Sequence, residues 1–188
     1  MSSFHGALTV LALSLTAALL PGHATAQEAT LDDPTIVAIF DAANTADMET
    51  GALAEKRGSS KEVREFGAML VRDHRMVRQQ GRDLAAKLGV TPTPPEEDRS
   101  ARDHAAAMER LRTLKGAEFD RAFLQHEAAF HQAVIDAVTT TLLPAIRNAE
   151  LKALVEKVAP AFQAHMRMAQ EMEKKIAGVE TSSRTSSR

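Results

Sequence analysis

The chain has no cysteine, no tryptophan and no tyrosine. The first absence rules out disulfides and thiolate metal sites, so the fold must rely on its apolar core. Neither charge sign dominates: 23 Lys and Arg face 25 Asp and Glu, a net charge of −2. That balance argues against broad nucleic-acid binding, and the interspersed signs suit a solvated helical surface. Glycine and proline are scarce, at nine and seven of 188 residues. They gather at few places, and little strand-like alternation lies between them. There is no nucleophile elbow, no Gly-rich phosphate loop, and no serine at a buried position beside a histidine.

One long apolar run is present, Leu8 to Leu20, followed by Pro21-Gly22 and by Ala24-Thr25-Ala26. A short apolar segment ending in small residues reads as a secretory signal peptide, with cleavage after Ala26. The run is short for a membrane span. The preceding MSSFHG has no Lys or Arg, so a retained N-terminal anchor is the competing reading. The expected location is periplasmic or secreted, with no membrane span once the signal is removed. The domain is then expected over 27–177, with a disordered polar tail over 178–188.

Apolar residues recur at steps of three and four along four long segments. The first helix is expected over Pro34–Arg57, with Asp32 or Asp33 as cap and the stripe Ile36, Phe40, Ala43, Asp47, Gly51 and Ala54. Ser59-Ser60-Lys61-Glu62 has the form of a capping box and opens a second helix that runs to Leu88. A weaker helix, about Glu96 to Leu114, follows the TPTPP segment. A third long helix starts near Glu118, with Asp120 in its first turn, where the helix dipole favours an acid. A fourth covers Asn148 to Ile176, with Pro160 expected to kink or thin it. The architecture is all-α: a ferritin-like four-helix bundle with an extra short helix in the connection between the second and third long helices.

Each long helix puts a titratable residue where the spacing asks for an apolar one: Asp47, His74, His131 and His165. Glu127 lies one turn before His131 and can share its face. One such group buried without partners costs on the order of a few kcal/mol, so four of them are expected to meet. Their heights allow this. At 1.5 Å per residue, each lies roughly 16–26 Å from the nearest interhelical turn.

Three imidazoles and one or two carboxylates suit a divalent transition metal such as zinc, copper, iron or nickel. Asp73 is an alternative outer acceptor that orients an imidazole. No Glu-x-x-His occurs in the chain, which disfavours di-iron chemistry. Met69, Met76, Met166, Met168 and Met172 could serve copper(I), but at these spacings they read better as core filler.

Three pieces carry a family resemblance: DMETGALAEKRGSSKEVREFGAMLVRDH (Asp47 to His74), FDRAF (Phe119 to Phe123) leading to His131, and APAFQAHMRMAQ (Ala159 to Gln170). They resemble an exported bacterial family, domain of unknown function 4142, grouped with ferritin-like four-helix proteins. The resemblance implies the bundle and the export, and it brings no reaction with it. It implies a Glu at the place of Asp47 and a Tyr at the place of Phe123, two departures in this chain.

Three readings stay open. The first is a metal- or ligand-binding bundle in envelope metal handling or stress protection, without turnover. The second is a structural or partner-binding bundle whose histidines form an internal network, with a homodimer as candidate assembly. The third is a metalloenzyme with an open coordination position, the least favoured.

Overall fold

The computed structural model describes residues 31–186 except Glu97, and side chains through residue 178. The expected signal segment lies outside the described residues. The helices are α1 (Asp33–Arg57), α2 (Lys61–Leu88), α3 (Ser100–Thr113), α4 (Gly116–Ala137), α5 (Leu143–Ala145) and α6 (Ala149–Ser186), with a π-helical turn at Val138–Leu142 between α4 and α5. Among the described residues there is no strand, and no helix is long and apolar enough to cross a membrane.

The helix starts follow from local chemistry. The Asp32 carboxylate accepts from the Thr35 N–H, with a proline in the first turn of α1. The Ser60 hydroxyl accepts from the Val63 N–H at the start of α2. Gly89 ends α2 in the left-handed region, at φ 65°.

Contacts at the helix ends set the topology. Asp33, at the start of α1, accepts the backbone N–H groups of Arg147 and Asn148 at the start of α6. Lys87, at the end of α2, pairs with Glu150 in α6. Arg57, at the end of α1, donates to the carbonyls of Arg112 and Leu114 where α3 ends. Asp120 in α4 joins Ser59 and Ser60, just ahead of α2. Thus α1 runs up, α2 down, α3 up along the outside, α4 down and α6 up. The chain is a four-helix bundle of the expected kind, with α3 as the crossover.

The interior is layered. One apolar cluster contains Ile36, Phe40, Val77, Val138, Val155 and Phe162, and the other Ala54, Val63, Leu70, Phe119, Phe123 and Ala169. Each long helix supplies both clusters and crosses between them through a polar residue. On α1 and α2 the helices approach closely at Gly51 and Gly67. A Cβ on Gly67 would sit 2.5 Å from the Gly51 carbonyl oxygen, so only glycine fits this crossing.

Three expectations need correction. On α1 the buried residue after Phe40 is Asn44, and Ala43 is only half-buried. The helix takes a step of four there and then steps of three, to Asp47 and Thr50. Asp120 is buried and serves the N–H groups ahead of α2 rather than the dipole of its own helix. Pro160, expected to kink or thin the last helix, lies within a continuous α6. It is exposed, so the carbonyl it leaves unpaired can meet water. Finally, α6 continues to Ser186, through most of the stretch expected as a disordered tail. No proline interrupts that stretch, so the helix can propagate by its own backbone bonds.

Candidate metal centre

The five residues singled out by their spacing meet in the layer between the two apolar clusters. Asp47, His74, Glu127, His131 and His165 are all buried. The three imidazoles form a nearly equilateral triangle, with ring centroids 5.5, 5.1 and 5.3 Å apart. Phe162, one turn before His165 on α6, stacks on His74 at 5.7 Å and 7°. Asp47 lies beside two of the rings: Oδ2 is 3.4 Å from His74 Nδ1 and Oδ1 is 3.8 Å from His131 Nε2.

Hydrogen bonds from outside the triangle place the imidazole protons. The Asn44 side-chain nitrogen donates to the Phe40 carbonyl at 2.7 Å, so its oxygen is left to accept from His74 Nδ1, 2.9 Å away. The proton of neutral His74 is then on Nδ1 and its lone pair on Nε2. The His131 Nδ1–H donates to the Glu127 carbonyl at 2.9 Å, which leaves Nε2 bare. His165 Nε2 faces the Asp73 carboxylate at 3.3 Å. A charge-assisted bond draws its proton there and leaves Nδ1 bare. All three rings therefore turn a lone pair inward.

His74 Nε2 and His165 Nδ1 are 3.2 Å apart. Two nitrogens bound tetrahedrally to zinc at about 2.0–2.1 Å would be about 3.3 Å apart. One ring nitrogen from each of the three histidines lies within 4.8 Å of the others. Atoms of Asp47, Glu127 and His131 form a second group within the same limit.

Burial decides the charge state. It pushes His74 down to about 2 and His131 down to about 4, and in both cases the neighbouring imidazoles add to the shift. His165 is also lowered by burial, which the bond to Asp73 partly opposes. The carboxyls move the other way. Burial raises Glu127 to about 7, against smaller lowering by Thr50 and Asp47. Asp47 is raised well above its ordinary value, by burial first and by the Glu127 charge second. Asp47 Oδ1, both Glu127 carboxyl oxygens and His131 Nε2 are buried and have no hydrogen-bond partner. Such atoms are rare in folded interiors, and each costs about 1–3 kcal/mol.

The spacing overlooked two participants, Asn44 and Thr50, both buried on the inner face of α1. Asn44 fixes the His74 tautomer, and Thr50 lies against Glu127. Their signal was the series 40, 44, 47, 50, which fits a helical stripe as well as the one through Ala43. Asp73 is the outer acceptor of His165, and its side chain is 26% exposed. The methionines stay apart: Met69 and Met172 pack against the apolar cluster, while Met76 and Met168 face solvent.

A family model described as a domain of unknown function, DUF4142, matches residues 18–172. Among solved structures, the crystal structure of a DUF305 fragment from Deinococcus radiodurans is similar, with a TM-score of 0.66 at 19% identity. The similarity covers 76% of this chain and 95% of that one, and at this identity it shows the fold alone. No curated protein matches the chain.

Proposed function

The chain belongs to the DUF4142 family, whose function is unknown, and from the chemistry of its interior we propose that it is an exported protein that binds a divalent transition metal at the mid-bundle centre. His74, His131 and His165 are the donors, with Asp47 and Glu127 beside them. Zinc, copper and iron are the candidate ions. Its role is metal handling or stress protection in the cell envelope rather than turnover. Removal of residues 1–26 as a signal peptide belongs to the same proposal.

The observation that carries this reading is the set of partnerless polar atoms. A self-sufficient network of His and Asp would have closed its own hydrogen bonds. Here Asp47 Oδ1, His131 Nε2 and both Glu127 oxygens stay open at one place, and the outer hydrogen bonds turn the imidazole lone pairs inward. A cation bound in this layer supplies a partner that these inward-facing atoms lack.

The test is elemental analysis and zinc titration of the purified protein, beside His74→Ala and His165→Ala. One metal per chain is expected, with zinc bound more weakly by both variants. Protein that stays metal-free after exposure to zinc, copper and iron overturns the reading. Mass spectrometry of the protein recovered from the envelope tests export, and a chain starting at Gln27 is expected.

A further inference from the structure

The five polar groups do not close into one coordination sphere. They fall into two triads, His74–His131–His165 and Asp47–Glu127–His131, with His131 common to both. His131 can serve only one ion at a time, because its Nδ1 is engaged by the Glu127 carbonyl and only Nε2 is open. The two triads also differ in chemistry. Three neutral imidazoles suit zinc and copper, whereas two carboxylates with one imidazole form a harder set suited to manganese(II). The open Nε2 of His131 is shared, and the second triad adds the open carboxyl oxygens of Asp47 and Glu127: Asp47 Oδ1 is 3.8 Å from His131 Nε2, and Glu127 Oε2 is 3.6 Å from His131 Nδ1.

We propose that the centre contains two overlapping, mutually exclusive metal positions that pivot on His131: an imidazole position for zinc or copper and a carboxylate position for manganese(II). This rests on the metal-binding reading and adds to it the way ions are sorted. Ions that differ in hardness enter the same layer of the bundle, take different donors, and displace one another through the shared nitrogen. The stronger zinc affinity expected for nitrogen donors makes the exchange one-sided.

The test uses the full chain with zinc chloride and manganese chloride as probes. Binding of manganese is read from the loss of the free-ion EPR signal, and zinc is followed by calorimetry. Wild-type protein is expected to hold one ion of either kind, and zinc should release manganese one for one. His165→Ala should weaken zinc about tenfold or more and leave manganese within about twofold. Glu127→Gln should do the reverse, and His131→Ala should weaken both. Asp47→Asn repeats the carboxylate arm if Glu127→Gln does not fold, as judged by circular dichroism.

Two ions held at once overturn the proposal, as does equal weakening of both ions by His165→Ala and Glu127→Gln. Zinc binding without any manganese binding also overturns it, while leaving the metal-binding reading intact. Failure to bind either ion also overturns it, and the metal-binding reading falls with it only if copper and iron fail to bind as well.

Discussion

Asp120 and Glu127 stand two turns apart on α4, and both are almost fully buried, at 2% and 0% exposure. Asp120 accepts three hydrogen bonds, from the Ser59 N–H, the Ser59 hydroxyl and the Ser60 N–H, at 2.7–2.9 Å. Neither carboxyl oxygen of Glu127 accepts any. One helix thus buries one acid that is fully used and one that is left open. Burial of a carboxylate is tolerated where donors replace water. At Asp120 they do, and the acid ties the start of α4 to the start of α2. At Glu127 the cost persists, and the fold offsets it elsewhere. An acid of the first kind builds the structure, and one of the second kind is the acid that the proposed metal would use.

The largest effect should come from breaking the satisfied acid. Asp120→Ala leaves two backbone N–H groups and a hydroxyl without their acceptor and is expected to cost about 2–4 kcal/mol, measured by urea unfolding. The next probes the imidazole side of the same layer. Zinc at about a hundred times its dissociation constant should stabilise the protein by about 2.7 kcal/mol in thermal unfolding, and the same zinc concentration should stabilise His131→Ala by less.

The third compares Glu127 with itself across pH. Its folded-state value is about 7 against an ordinary 4.5, so the neutral form favours folding. That contribution is complete below about 4.5 and is lost as pH rises towards 7. Glu127→Gln should remove the loss, matching wild type near pH 4.5 and exceeding it by about 1–2 kcal/mol at pH 8 without metal. His131 has the opposite sign. Its depressed value, about 4, makes its contribution complete above about 6.5 and lost as pH falls through 4. Metal-free wild-type protein should therefore have a stability maximum between these trends, and thermal unfolding from pH 4 to 8 locates it.

The smallest effect belongs to a third acid. Asp41 accepts from Arg78 and Arg82 near the surface. Its value is lowered because the two guanidinium bonds outweigh its partial burial. Arg82→Ala should change stability by no more than about 0.5 kcal/mol, since an exposed pair is screened and entropically costly.

The bundle was legible in the sequence because the 3.6-residue period survives in all four long helices, and the polar layer because each of them carries a titratable residue on its apolar stripe. Asn44 and Thr50 were not, because steps of three and four are equally good helical stripes and only packing chooses between them. The role of Asp120 was hidden for another reason: its partners lie about sixty residues away in sequence, beyond any local pattern. The level at which the four helices meet could be estimated from the rise per residue. The inward lone pairs could not, since they depend on the Phe40 and Glu127 carbonyls and on Asp73.

The glycine crossing of α1 and α2 bears on the tuning of the centre. Gly51 is one turn from Asp47, and Gly67 is two turns from His74, so the missing side chains act as a calliper for the polar groups below them. With Gly67 a Cβ would meet the Gly51 carbonyl, the Glu55 nitrogen and the Ala54 Cβ, all within 3 Å. Any side chain there would open the jaws and carry the Asp47 carboxyl away from the His74 ring. The spacing between the Asp47 carboxyl and the His74 ring is thus set in part by two residues that have no side chain to offer.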